Sequence, residues 1–228
     1  STTCKLITHF LKKYNFNALL GGNIGTPILD LKIKKNSYVV IEASSFQLSH
    51  SKFIRPDYAL LLNITNDHLD WHGNMRNYTD AKLKIFIHQK KYQFALIKNK
   101  FKKIFKKRNF ASKLIIPNEK NYRKLKCKIK NHYLKLSIND ENMNFVYTFS
   151  RLLKISEKNF ILATNSFVGL PHRYEIFLKK RNVVFINDSK ATSFEATKYA
   201  LSNSKNVYWI LGGLPKKNDK ISLNGIKK

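Results

Sequence analysis

The first apolar positions of the chain fall at helical spacing: Leu6, Ile7, Phe10 and Leu11 predict a helix over residues 2–14. The pattern then changes. "NALL" at 17–20 runs into the glycine turn "GGNIGTP", and the apolar runs "YVVIEAS" (38–44), "YALLLNI" (58–64) and "FALIKN" (94–99) read as buried strands. Between the last two, residues 74–89 bring Tyr78, Lys82, Ile85 and Phe86 near one face of a helix. Buried strands alternating with helices predict an α/β architecture, a mostly parallel sheet flanked by helices.

From 113 to 149 the spacing shortens. "KLII", "KLKCKI", "YLKLSI" and "NFVYTF" predict short strands, hence a small antiparallel β appendage. "SEKNFILATNSF" follows as a helix with Ser156 as its N-cap. At Gly169-Leu170-Pro171 a second unit opens, with strands near 174–178 and 183–187, a helix near 193–203 and a last strand, "VYWIL". The expected division is therefore 1–168 and 169–228, and the second part is too short for a complete α/β domain.

Composition narrows the class. Hydrophobic residues make up 43% and aromatics 13%, a folding rather than a disordered composition. No apolar run approaches the ~18 residues of a bilayer span, and "STTCKLITHFLKKY" has no secretion-signal core, so no membrane partner is expected. Cys4 and Cys127 lie far apart without metal-site spacing, which suits a reducing cytoplasm. The net charge of +29 attracts polyanions, yet the Lys/Asn/Ile bias runs along the chain and no nucleic-acid reading motif accompanies it. The expectation is a solvated basic surface with no specific nucleic-acid partner.

The strand ends carry the candidate chemistry. Ligands of open parallel sheets bind beyond the carboxyl ends of the strands. "YVVIEAS" ends in Glu42, Ser44 and Ser45; "YALLLNI" runs out into Thr65, Asn66, Asp67, His68 and Asp70; "VVFI" ends in Asn187, Asp188, Ser189 and Lys190. Singly, Glu42 could pair with a lysine, His68 could be a loop histidine and Lys82 a surface lysine. Together, a glutamate and a histidine at neighbouring strand ends fit a hard divalent cation bound with phosphate oxygens.

Read in order, "GGNIGTP", "IEASSFQL", "NITNDHLDWHG", "YTDAKLKIF", "GLPHRYE" and "INDSKAT" resemble the Mur ligases, and "SSFQL" with "GLPHR…NDSKAT" resembles the member that adds D-glutamate. The resemblance runs from Ser1 to about Gly213. It implies a central ATP-binding domain and the start of a Rossmann-like third domain. It further implies that "STT" is the tail of a phosphate loop, with Ser1 and Thr2 at the nucleotide and Ser1 on Mg²⁺. Glu42 and His68 would hold a second Mg²⁺, beside Lys82 at the position of a lysine that the family carbamylates. Asn23, Ser44 and Gln47 would bind UDP-N-acetylmuramoyl-L-alanine. Arg173 and Asp188 would contact ATP, Lys190 the reacting acyl-phosphate, Thr192 and Lys216 the D-glutamate. The implied protein is a cytoplasmic monomer of peptidoglycan synthesis, and this chain is a fragment of it, inactive alone. One departure stands out: the family's His-Asn…Asn segment is absent between Met143 and Gly169, as if a block were missing. Another amide ligase of Mur or folylpolyglutamate type is the alternative within the class, and a basic nucleic-acid-binding module the alternative outside it.

Overall fold

The computed structural model describes residues 1–65, 67–202 and 204–214. They form two compact units: residues 1–130 with 140–167, and residues 131–139 with 168 onward.

In the first unit the opening helix is α1, Thr2–Lys13. It buries Leu6, Ile7, Phe10 and Leu11, the stripe that its spacing predicts, and leaves Lys12 and Lys13 in the last turn, where cations suit the helix dipole. Strand β1 (Ala18–Gly22) pairs in parallel with β2 (Tyr38–Glu42), Gly22 opposite Glu42. Helix α2 (Ser45–His50) leaves β2 through a capping box: the Ser44 hydroxyl accepts from the Gln47 amide while the Gln47 side chain accepts from the Ser44 amide.

Strand β3 (Tyr58–Leu61), helices α3 (Leu69–His72) and α4 (Met75–Leu83), and strand β4 (Phe94–Ile97) follow. The helix expected over 74–89 thus ends early, at Leu83, and tightens into a 3-10 turn over Lys84–Phe86. Helix α5 (Lys102–Lys107) then returns the chain to β5 (Lys113–Ile115). The parallel order is β3-β4-β5, and β1-β2 forms a separate ladder, so the described residues hold two small parallel sheets rather than one. Ala59, Leu61, Ala95 and Ile97 meet Leu83, Phe86 and Phe105 in the core of the larger one.

The antiparallel appendage expected over 113–149 is not there. "KLI" is the parallel edge strand β5, and the rest is helical: α6 (Glu119–Lys126), α7 (His132–Lys135) and α8 (Asp140–Leu152). The physical reason is the length of the pattern. "NFVYTF" alternates like a strand over six residues, but over thirteen Met143, Val146, Tyr147 and Ser150 are buried at helical spacing. Asp140 and Glu141 occupy the first turn, the favourable end for acids. Helix α9 (Glu157–Asn165) begins as predicted, Ser156 Oγ accepting from the Asn159 amide at 3.2 Å. Phe160 packs its ring 5.3 Å from Phe10 and 5.1 Å from Tyr147, joining α9 to α1 and α8. Between β5 and α9 the chain runs through α6, α7 and α8.

In the second unit, β6 (Glu175–Lys180) and β7 (Val183–Asn187) form an antiparallel hairpin turned at Arg181, whose φ is +51°. Helix α10 (Phe194–Ser202) follows. Here lies the small antiparallel sheet of the molecule. "VVFI" is not the buried parallel strand that the sequence suggests: Val183 and Val184 are exposed. "VYWIL" is no strand either, with Tyr208 and Ile210 almost wholly exposed, because a strand exists only against a partner ladder and none meets it among the described residues.

Candidate functional site: two polar clusters and a paired turn

The glycine turn after β1 is built for close approach. Gly22 has φ +102°, and a Cβ there would stand 2.4 Å from the Glu42 carbonyl oxygen. This contact lets Asn23 bind Glu42 twice, its amide donating to the Glu42 carbonyl at 2.8 Å and its side chain to Glu42 Oε1 at 3.1 Å. Ser1 Oγ donates to the same Oε1 at 3.2 Å, and the Ser1 backbone nitrogen lies 3.0 Å from Oε2. Glu42 Oε2 is itself buried. A half-buried carboxylate beside a serine hydroxyl has the oxygen-donor chemistry a hard cation takes.

The second cluster follows β3. His68 caps α3 in the left-handed conformation, φ +55°, a strained setting for a residue other than glycine. Its amide donates to Asp67 Oδ1 at 3.0 Å, and its Nε2 is 3.5 Å from Asp67 Oδ2. Lys82, from α4, reaches the Asn63 carbonyl at 3.4 Å and lies 4.8 Å over the Tyr78 ring. Burial lowers its pKa and the negative charge of Asp67 opposes the shift. His72 is buried, with Nε2 2.9 Å from Ser45 Oγ. Burial and the positive charges of His68 and Lys82 hold its pKa below the ordinary histidine value, against Asp70.

Phe46 connects the clusters. Its ring is 4.9 Å from that of His68 and stacks 5.6 Å from that of His72, and it stands four residues after Glu42. Four residues span at most about 14 Å of chain, so Glu42 and His68 flank one short segment. Ser44 and Gln47 lie in it, committed to the α2 capping box. Thr2, buried in the first turn of α1, lies beside Ser1. Among the described residues no three His, Cys, Asp or Glu side chains converge as a metal cluster. Asn66 and Lys216 lie outside the described residues.

In the second unit the two motifs expected to act together are physically paired. Asp188 Oδ1 accepts from the Tyr174 amide at 2.9 Å, the Lys190 amide donates to the His172 carbonyl at 3.1 Å, and the Asn187 side chain meets His172 Nδ1 at 2.9 Å. The polar turn needs no glycine of its own, because Asn187 Oδ1 accepts from the Ser189 amide and the positive φ values fall on His172 and Tyr174 opposite. Burial raises the Asp188 carboxyl while the Tyr174 amide and Arg173 oppose it, and its Oδ2 is buried without a hydrogen bond. Lys190 and Thr192 are exposed.

Asp67 was named in the sequence only among the polar residues after its strand, and His72 and Asn142 were not singled out. The signal for the first two was the Asp-His-x-x-x-His spacing, which puts both histidines on one side of a helix turn. Asn142, in the first turn of α8, accepts from Thr3 Oγ1 at 2.9 Å; reading that stretch as strands concealed it.

A serine and an acid at the end of one parallel sheet, and an imidazole and a half-buried lysine beyond the other, are the polar groups that this α/β fold brings to its strand ends. The profile of the Mur ligase middle domain matches residues 1–167, and the chain belongs to that family. Curated relatives named UDP-N-acetylmuramoylalanine--D-glutamate ligase are 33% identical in Wolbachia sp. subsp. Brugia malayi, over 98% of this chain and 56% of the relative, and 35% identical in Zymomonas mobilis subsp. mobilis, over 96% and 50%. The chain thus spans about half the length of these relatives. Among solved structures, MurF from Acinetobacter baumannii superposes with a TM-score of 0.67 at 16% identity, over 90% of this chain and 52% of that one. MurC from Thermotoga maritima gives 0.59 at 20%, over 88% and 50%. Both likenesses concern the fold. No helix among the described residues is long and apolar enough to cross a membrane.

Proposed function

We propose that the chain is part of a cytoplasmic ligase that uses ATP and Mg²⁺ to join D-glutamate to UDP-N-acetylmuramoyl-L-alanine in peptidoglycan synthesis. The observation that carries the reading is Glu42: a half-buried carboxylate at a parallel strand end, held by Ser1 and Asn23. The shared name of the full-length relatives supports the choice of substrates. The first unit corresponds in this reading to the central domain and the second to the start of the C-terminal one.

In the reaction, the alanine carboxylate takes the γ-phosphoryl group of ATP, and the D-glutamate amine then attacks the acyl-phosphate and expels phosphate. Ser1, Glu42 and His68 would hold Mg²⁺, which would neutralise phosphate charge as it shifts. Thr2 would bind phosphate at the start of α1, whose amides point outward there. Lys82 would act as a carbamate beside the metal: its lowered pKa raises the share of neutral amine, the form that reacts with CO₂. Asn23, Ser44 and Gln47 would orient the muramoyl substrate, and His72 and Asp67 would position Ser45 and His68. Arg173 and Asp188 would hold the nucleotide, Lys190 the charge developing on the acyl-phosphate, and Thr192 with Lys216 the D-glutamate. Asn142, which accepts from Thr3 Oγ1 at 2.9 Å, would hold the start of α1 in place.

The test is amide-bond formation by the intact protein that contains this chain, scored by ADP release with D-glutamate as acceptor. Lys82→Ala should abolish turnover and regain part of it with added short carboxylates, and Lys190→Ala should lower kcat by about 10²–10³. Unchanged rates in Lys82→Ala would remove the carbamate role. Equal turnover with a diamino acid would remove the D-glutamate assignment.

A further inference from the structure

The positive charge is not spread evenly. Residues 98–130 hold fourteen Lys or Arg and a single acid, Glu119, so one seventh of the chain carries nearly half of the net +29. A uniform compositional drift would not concentrate charge in this way. The segment comprises α5, β5 and α6: α5 leads into β5 and α6 leaves it, and β5 is the outer strand of the three-stranded sheet. Four of the fourteen pair with carboxylates: Lys98 with Glu141, Arg108 with Asp80, Arg123 with Glu119 and Lys126 with Asp140. The other ten are all lysines, all exposed, and none has a carboxylate within salt-bridge reach among the described residues. The aromatic side chains of the two helices, Phe105 and Tyr122, are turned into the core.

We infer that the α5–β5–α6 edge is a docking surface for an anionic lipid bilayer. A lysine is a point charge that suits a diffuse anionic surface, and each one near such a surface adds about 1 kcal/mol of attraction. Nucleic-acid readers rely instead on arginine forks to bases and on exposed aromatic rings for stacking, and the free charges here include neither. A peripheral contact of this kind needs no membrane-spanning helix; the sequence argument against a membrane partner concerned spans alone.

The experiment is cosedimentation of the 228-residue chain with phosphatidylcholine vesicles containing about a third phosphatidylglycerol, at roughly 50 mM and roughly 200 mM salt. Lys102, Lys103, Lys106 and Lys107→Gln, all exposed on α5, form the test variant; Lys12, Lys13, Lys34 and Lys35→Gln, exposed elsewhere, remove the same charge as a control. Glutamine keeps helix propensity, and circular dichroism of both variants checks folding. Binding at the lower salt that falls about tenfold or more in the α5 variant and less than about threefold in the control supports the inference. Equal losses in the two variants overturn it in favour of undirected charge. Absence of vesicle binding at the lower salt overturns it outright. Duplex DNA binding that survives at the higher salt, where vesicle binding is lost, overturns it in favour of a nucleic-acid partner.

Discussion

Gly22 shows how one residue sets the chemistry around it. With φ at +102° and the Glu42 carbonyl 2.4 Å from a hypothetical Cβ, Gly22→Ala should lower stability by at least about 1–3 kcal/mol, read as a shift in urea midpoint at constant slope. An unshifted midpoint would mean the strand pair tolerates separation there. Lys82 gives a prediction in pH. Its folded pKa lies below the unfolded one, so the unfolded chain binds more protons between the two values. Stability should therefore rise as pH climbs from the folded value of Lys82 toward that of an ordinary lysine, and Lys82→Met should flatten that rise in urea titrations. At this scale the residue types at the strand ends were readable from the sequence, since Glu42, His68 and Lys82 stand out against apolar runs. What they touch was not: that Ser45 anchors His72, or that Asn142 meets Thr3, depends on chain segments 27 and 139 residues apart.

Helices with a complete local signal were legible, and elements that depend on a partner were not. The Ser156 cap is written in three or four consecutive residues, which is why α9 starts where its side chain says; the same local signal at Ser44, which opens α2, was not read from the sequence. Ser44→Ala should cost about 0.5–2 kcal/mol in equilibrium unfolding. Helix α8 is the opposite case. Its aromatic run satisfies a strand period over a short window, and the burial of Met143, Val146 and Phe149 against the first unit selects the helix. Phe145→Ala, at a position with 1% exposure, should cost about 3–5 kcal/mol. A cost under about 1 kcal/mol would show that this face of α8 is not packed as described.

Across the whole molecule the two units differ in how much apolar surface they enclose. Ala95, Leu96 and Ile97 of β4 are fully buried, whereas Ile176, Phe177 and Val183 of the β6–β7 hairpin are about half exposed or more. Native-state hydrogen exchange should therefore find the β4 amides among the slowest and those of β6 and β7 faster; equal protection would contradict this. The sequence by itself determined the α/β class, the family motifs in their order, and the polar residues at the strand ends, because alternation of buried runs and capped helices is a local property of the chain. Tertiary structure alone decided that the parallel strands divide into two ladders, that "NFVYTF" is helical, and that "VVFI" belongs to an antiparallel hairpin. Strand pairing is a contract between distant segments, and the hydrogen bonds that define it have no signature within either one.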